Sequence, residues 1–474
     1  MRIIAIAVIC LLFCVSSIAE DAPLFVDAYV HDPSVIRTED GMYYIYGSHM
    51  AAAKSVDLVQ WEMISTNAKD GCTLFSDVQQ ELSLALSWAQ TDTFWAGDVQ
   101  RLDDGRYYFY YCCCIGNAPI SALGVAVSDS PEGPFEDLGI FLKSGMYGIS
   151  EDGTRYDATV HPNVIDPHVF YDNDGKLWMV YGSYSGGIFI LKMGAKTGFP
   201  QPSQGYGKKL LGKNHSRIEG PYILYAPETE YYYLFLSFGG LLSTDGYNIR
   251  VVRSKNPDGP YMDALGQDMI NCGGADGTFF DDNAIAPYGV KLMGGFRFMP
   301  LEGEEKLPEA AYRSPGHNSA YYDEEIGRYF LIFHTRFASL GEEYRVRTHQ
   351  FWFNLDGWPV VAPFRYAGEA WTAEASEEPV GEYRFVLHEC DINKSQHRSV
   401  VAEIYANGSI CGEADGKWIA SGDGRVTIEL DGIYYDGLFV KGYDAQQRAW
   451  TLTLTALSPD GQALWGTRTA NTNN

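Results

Sequence analysis

After its first dozen or so residues the chain has no run apolar enough to cross a membrane, and no convincing long helix. Basic residues are scarce: 35 Lys and Arg stand against 61 Asp and Glu, a formal charge of −26. Long-range repulsion therefore argues against nucleic acid and membrane surfaces as partners, and against acidic polymers such as polygalacturonate. Neutral carbohydrates remain open. A disulfide framework is also lacking. Outside the N-terminal leader the cysteines are Cys72, Cys112, Cys113, Cys114, Cys272, Cys390 and Cys411, an odd set without regular spacing. Cys112-Cys113-Cys114 sits at a strand end, where alternation sends the middle thiol to the opposite face and spoils a shared zinc site. These three read as small buried hydrophobes, and a Cys390–Cys411 bridge stays open.

The apolar leader, Arg2 followed by Ile3–Phe13 and then Ser17-Ile18-Ala19, has the form of a secretory signal cleaved near Ala19-Glu20. The mature protein is then soluble and exported, and is expected to act as a monomer. About 455 residues suit one large domain and a smaller one. Tyr, Trp and Phe make up 14% of the chain, which fits both sheet packing and sugar-stacking surfaces.

What the chain does contain is a repeat. Five times a short turn divides two aromatic-rich strand segments, with a polar residue six to nine positions upstream. Asp32 precedes Asp40-Gly41, Asp98 precedes Asp104-Gly105, and Asp166 precedes Asp174-Gly175. Glu219 precedes Glu228-Thr229-Glu230, and His317 precedes Glu325-Ile326-Gly327. All-strand repeats with hairpin turns predict a five-bladed β-propeller over residues 20–376, with equivalent positions converging on one axis. From 377 to 474 short strands and the Asn407-Gly408 hairpin signal predict a small all-β barrel or sandwich. The long stretch from Asp263 to Gly303 is expected to form loops over one face.

On this reading four carboxylates and a histidine ring a single pocket, as in an acid–base hydrolase. Asp32-Pro33 and Asp166-Pro167 recur at matched repeat positions, where proline interrupts the ladder and frees the acid to point inward. One Asp-Pro alone is more often a turn cap; two in register favour function. Glu219, flanked by Ile218, Gly220 and Pro221, is placed for partial burial, which raises a carboxyl pKa and keeps it protonated. Asp98 is as readily structural, held by backbone donors beneath the pocket. Trp95 reads equally as core or as a sugar platform. His317 is the one member of the ring that is not an acid, and by its chemistry either satisfies a hydrogen bond or holds a cation. If each polar residue opens an innermost strand, the loops after the second strands return to the same face. Those loops are Gly47–His49, Cys114–Asn117, Gly182–Ser185, Ser237–Gly240 and His334–Arg336.

The motifs His31-Asp32-Pro33, Trp95-Ala96-Gly97-Asp98, Asn163-Val164-Ile165-Asp166-Pro167, Ile218-Glu219-Gly220-Pro221 and Gly316-His317-Asn318 together resemble glycoside hydrolase family 43. The likeness is to its secreted endo-α-1,5-L-arabinanases that carry an extra C-terminal β-domain. The resemblance implies an inverting hydrolase acting on arabinan and arabino-oligosaccharides, with Asp32 as general base, Glu219 as general acid and Asp166 as pKa modulator and substrate orienter. It implies that His317 ligates one axial calcium ion whose other ligands are largely waters. It also implies substrate contacts at Asp32, Trp95, Gly116, Asn163, Val164, Ile165, Asp166, Ser183, Tyr184 and Ser185. Inverting pairs stand about 6.5–9.5 Å apart so that a water fits beneath the sugar. Two alternatives share the fold: an exo-acting α-L-arabinofuranosidase or β-xylosidase, separated by a blocked rather than open cleft, and a non-catalytic carbohydrate-binding propeller. The complete Asp32, Asp166 and Glu219 set argues against the last.

Overall fold

The computed structural model describes residues 22–146, 148–369, 378–421 and 424–470. The leader with its cleavage site and the domain junction at 376/377 lie outside the described residues. Five four-stranded antiparallel sheets follow one another along the chain. Their innermost strands are Ser34–Arg37, Asp98–Arg101, His168–Tyr171, Ile218–Ala226 and Tyr312–Asp323. Each pairs with the strand after its turn, as in Ser34 opposite Tyr46 and Asp98 opposite Tyr110. This is the five-bladed propeller the repeat predicts. Residues Gly381–Arg468 form a closed eight-stranded barrel, which decides between barrel and sandwich.

Strand period places the core between blades. In Tyr107–Cys114 every residue is buried, and the two faces divide cleanly. Tyr107, Phe109, Tyr111 and Cys113 pack towards blade 1, while Tyr108, Tyr110, Cys112 and Cys114 pack towards blade 3. The cysteine triplet is thus core, with Cys113 turned away from its neighbours. Cys390 and Cys411 are both free thiols, so the bridge left open above is not formed; Cys390 instead lies against the carbonyls of Gly289 and Gly461.

All four strands of blade 5 come from its own repeat, and among the described residues no N-terminal strand joins it. The seam is closed by side chains and one backbone bond. The Asp27 carboxylate accepts from Arg345 at 3.2 Å and Arg347 at 3.0 Å, and meets Arg365 at 2.9 Å. The Val346 N–H donates to the Ala28 carbonyl.

Two features depart from expectation. A small helical insert, Val78–Glu81 and Ser83–Ala89, follows blade 1 and packs its Leu82, Ala85 and Leu86 into the core between blades 1 and 2. The stretch from Asp263 to Gly303 is more than loop: Val290–Met293 is the outer strand of blade 4, and Phe296–Arg297 pairs in parallel with His397–Arg398, which lies along the chain between the first two strands of the barrel. Phe296 and Phe298 share one core with Val386, Leu438 and Trp465, so propeller and barrel are joined by continuous packing.

Candidate active site

The five repeat-equivalent residues do not all reach the same place. Asp32, Asp166, Glu219 and His317 line one cavity of about 430 Å³ at the end of the axis where the innermost strands begin. Asp98 lies beneath it, 1% exposed, accepting from the Ser34 hydroxyl and from the Val169 N–H at 2.6 Å. It is a buried tie between blades 1 and 3.

Backbone conformation aims the others. Asp32, Asp166 and His317 have φ of 58°, 57° and 45°, left-handed values rare outside glycine. Glu219 keeps extended backbone and is followed by Gly220 at 59°, where an added Cβ would meet the His317 ring at 3.0 Å. Only glycine lets those two elements approach so closely.

Each carboxyl has its own surroundings. Asp32 meets His31 Nδ1 at 2.7 Å and His317 Nδ1 at 3.1 Å, and accepts from the Ser48 hydroxyl. Its N–H donates to His334 Nδ1 at 3.1 Å. Burial opposes its ionisation, yet His31 and His317 outweigh burial and hold the carboxyl well below the usual range. Glu219 accepts from Ser183 at 2.7 Å and from the Tyr247 hydroxyl at 2.8 Å. Burial nevertheless raises its pKa, against His317 and these two donors and with help from Asp32 repulsion. Asp166 accepts only from the Gly220 N–H, at 3.3 Å. Burial pushes it up to about 8, with His317 opposing and the Glu219 and Asp32 charges adding to the rise. His317 itself is held up to about 9: burial disfavours its charge, but Asp32 and Asp166 more than compensate. The site thus favours ionisation of one carboxyl, Asp32, and disfavours it at Glu219 and Asp166, the direction of bias that acid–base catalysis requires.

The walls include most of the contacts expected from the sequence. Trp95 is half-buried, donates to the Cys114 carbonyl at 2.8 Å, and lies over Gly116, whose added Cβ would meet its ring at 3.3 Å. Asn163 and Ile165 line the cavity, Asn163 fixed by the Ser121 hydroxyl at 2.6 Å. Ser183, Tyr184 and Ser185 line it from the loop of blade 3. Val164 does not. It is fully buried in the core between blades 2 and 3, and its N–H donates to the Ser121 hydroxyl.

Sequence reasoning missed His31, Tyr247, His215, Phe279 and Phe280. His31 stacks on His334 with ring centroids 3.8 Å apart. Phe279 and Phe280, 65% and 55% exposed, reach the cavity from the long segment of blade 4, with Phe279 stacked on His215 at 4.4 Å. Exposed paired aromatics at a loop tip carry no periodic signal. His31 was legible in its motif, adjacent to Asp32.

Two groups of atoms bear on a cation. His31, Asp32 and His334 offer ligand atoms within 4.8 Å of one another, all buried. On the axis just below the main cavity, Asp32, Asp166, His317 and Asn318 border a void of about 10 Å³, room for about one water. Both amide atoms of Asn318 are buried without a hydrogen-bond partner, which suits a water or hydrated cation there.

A sequence profile described as glycosyl hydrolases family 43 matches residues 24–282, and one described as a C-terminal lipocalin-like domain matches residues 363–466. An extracellular endo-α-(1→5)-L-arabinanase 2 from Bacillus subtilis is 53% identical over 96% of this chain and 96% of its own length. Among solved structures, an endo-1,5-α-L-arabinanase from Thermotoga petrophila superposes with a TM-score of 0.90 at 48% identity, covering 94% of this chain and all of that one. A family 43 glycoside hydrolase from Bacillus licheniformis gives a TM-score of 0.90 at 55% identity, covering 94% of this chain and 99% of its own.

Proposed function

The chain belongs to glycosyl hydrolases family 43, and on that premise we propose that it is an inverting endo-arabinanase, hydrolysing internal α-1,5-L-arabinofuranosyl linkages of arabinan. The observation that carries the catalytic roles is the opposite bias of two carboxyls in one cavity, Asp32 pushed towards its ionised form and Glu219 towards its protonated one.

Asp32 is the general base. It removes a proton from a water whose oxygen attacks the anomeric carbon. As the C1–O bond breaks, Glu219 delivers its proton to the departing O5 of the next arabinose, and the new reducing end is released with inverted configuration. Asp166 is the pKa modulator and substrate orienter: its charge, when ionised, repels that of Glu219 and so favours the protonated acid. Ser183 and Tyr247 fix the Glu219 carboxyl from two sides. Trp95, Gly116, Asn163, Ile165 and the Ser183–Ser185 loop bind the sugars.

The resemblance implies calcium on the axis, and the donor set fits a cation. His317 with water molecules is proposed to hold it, with Asp32, Asp166 and Asn318 supplying the oxygen-rich surroundings calcium prefers. Bound there, it supplies a fixed positive charge that favours ionised carboxyls nearby. Export is proposed on the same footing, from the leader and the extracellular relatives.

Product analysis on linear arabinan is the test. A ladder of short oligosaccharides early in the reaction is expected; arabinose alone from the outset would replace the endo reading with an exo one.

A further inference from the structure

The propeller has a second large cavity, at the opposite end of its axis. About 620 Å³ in volume, it lies where the hairpin turns converge, remote from the catalytic carboxyls. Every blade contributes to its wall: Arg37, Tyr107, Tyr171, Tyr225 and Tyr321 come one from each. Its volume falls within the ~300–1,000 Å³ of small-ligand pockets.

The lining is chemically specific. Tyr171, Tyr225, Tyr321 and Tyr322 are all part-exposed. Among the described residues the Tyr225 hydroxyl has no hydrogen-bond partner, whereas that of Tyr171 is taken by Asp103. The two lining cations are paired: Arg37 donates to Glu325 at 2.6 Å, and Arg101 pairs with Glu39. Two lining carboxylates have no ion pair among the described residues, Asp172, which accepts from the Trp178 indole at 2.8 Å, and Glu324 at the solvent edge. Arg37 and Arg101 balance them in formal charge. At the inner end His168 stacks on Tyr222 with centroids 3.5 Å apart, its Nδ1 3.6 Å from the Asp98 carboxylate and its Nε2 3.0 Å from the Ile223 carbonyl. Ring faces, scattered hydroxyl and amide groups and little net charge describe a surface for a neutral polyol.

It is also a dead end. His168 and Tyr222 separate the basin from the axial void that Asp32, Asp166 and His317 border, and about 10 Å³ passes no sugar. The basin therefore neither admits substrate to the catalytic cavity nor drains product from it.

We propose that this basin is a second glycan-binding site, holding a short stretch of the same neutral furanoside polymer that the catalytic cavity cuts, an inference that rests on the arabinanase reading. Two sites at opposite ends of one axis tether the enzyme to long chains and do nothing for short ones, because only a long polymer spans or revisits both.

The test uses affinity electrophoresis through gels containing linear arabinan, in a Glu219→Gln background that leaves the polymer intact. Tyr225→Ala removes a ring face. Asn173→Arg fills the exposed rim without removing core packing, and so remains informative if Tyr225→Ala fails to fold. Each is expected to weaken polymer retardation at least threefold. In the active background kcat/KM on a short arabino-oligosaccharide should stay within twofold, while turnover of dilute polymer falls. Undiminished retardation in Asn173→Arg overturns the proposal, as does equal retardation by galactan or xylan gels. Failure of the wild type to release any product from arabinan would instead strike the catalytic reading, and that is seen in a separate assay.

Discussion

Asp32 and Asp166 occupy the same left-handed backbone conformation, at φ 58° and 57°, each immediately before a proline. Holding a non-glycine residue there costs about 1–3 kcal/mol. The fold holds it in two blades, and in His317 of a third, and these three side chains border one axial void. Repeat symmetry thereby gathers a candidate reaction centre: matched positions in separate blades supply two carboxyls that differ only in their neighbours, and an imidazole beside them.

Those neighbours predict different deficits in two variants. Glu219→Ala should lose about 100- to 10,000-fold on arabinan and recover much of that on an activated aryl arabinoside, whose leaving group needs little protonation. Asp32→Ala should gain little from the better leaving group, because the attacking water still lacks its base. Azide, which needs no base, should rescue Asp32→Ala and yield a glycosyl azide of inverted configuration. Equal indifference of both variants to leaving-group quality would refute the assigned roles.

Tyr247→Phe tests the tuning of the acid. The Tyr247 hydroxyl donates to Glu219 at 2.8 Å and so favours its ionised form, opposing the upward push of burial. Removing it should raise the acid's pKa further. Because Glu219 works protonated, the alkaline limb of kcat/KM should move to higher pH, with the fold kept since the ring still packs. A limb that stays put, or moves down, would show that this hydrogen bond does not set the acid's titration.

Metal removal should separate chemistry from folding. Chelation or His317→Ala is expected to lower activity by more than tenfold while the circular dichroism spectrum and thermal midpoint change little, because the cores between blades bury ample apolar surface. Readdition of calcium should restore the chelated wild type and not His317→Ala. Full activity of metal-free protein would remove the ion from the account.

The seam offers a stability prediction. Asp27→Ala leaves Arg347, 1% exposed at its side chain, without its carboxylate. Stranding a buried guanidinium costs about 3 kcal/mol. Acid should do the same to the wild type. Burial opposes Asp27 ionisation, but Arg347, Arg365 and Arg345 hold its pKa below the ordinary value, so its contribution is present above that value and lost as pH falls through the lowered one. Denaturant titration at neutral and acid pH should therefore show a wild-type loss on acidification that Asp27→Ala largely lacks.

The propeller was legible because its signal repeats. Period-two strands, turn residues and the upstream polar position occur five times, and each copy corroborates the others. The candidate acids of the cavity were legible for the same reason. Asp98 shows where register alone runs out: it shares the repeat position, yet two donors draw it beneath the pocket, and only packing reveals that. Val164 lies within a motif that lines the cavity, but packing between blades 2 and 3 buries it. Phe279, Phe280 and His215 belong to loops whose course depends on contacts with distant blades, so no local pattern could place them.

The core shared by Phe296, Val386, Leu438 and Trp465 has a consequence for dissecting this chain. A module that carries its own interior can be expressed alone and stay soluble. Here a cut that parted Gly381–Arg468 from the rest would strip apolar side chains of their cover on both fragments. Each piece would then present that surface to solvent, where it invites aggregation.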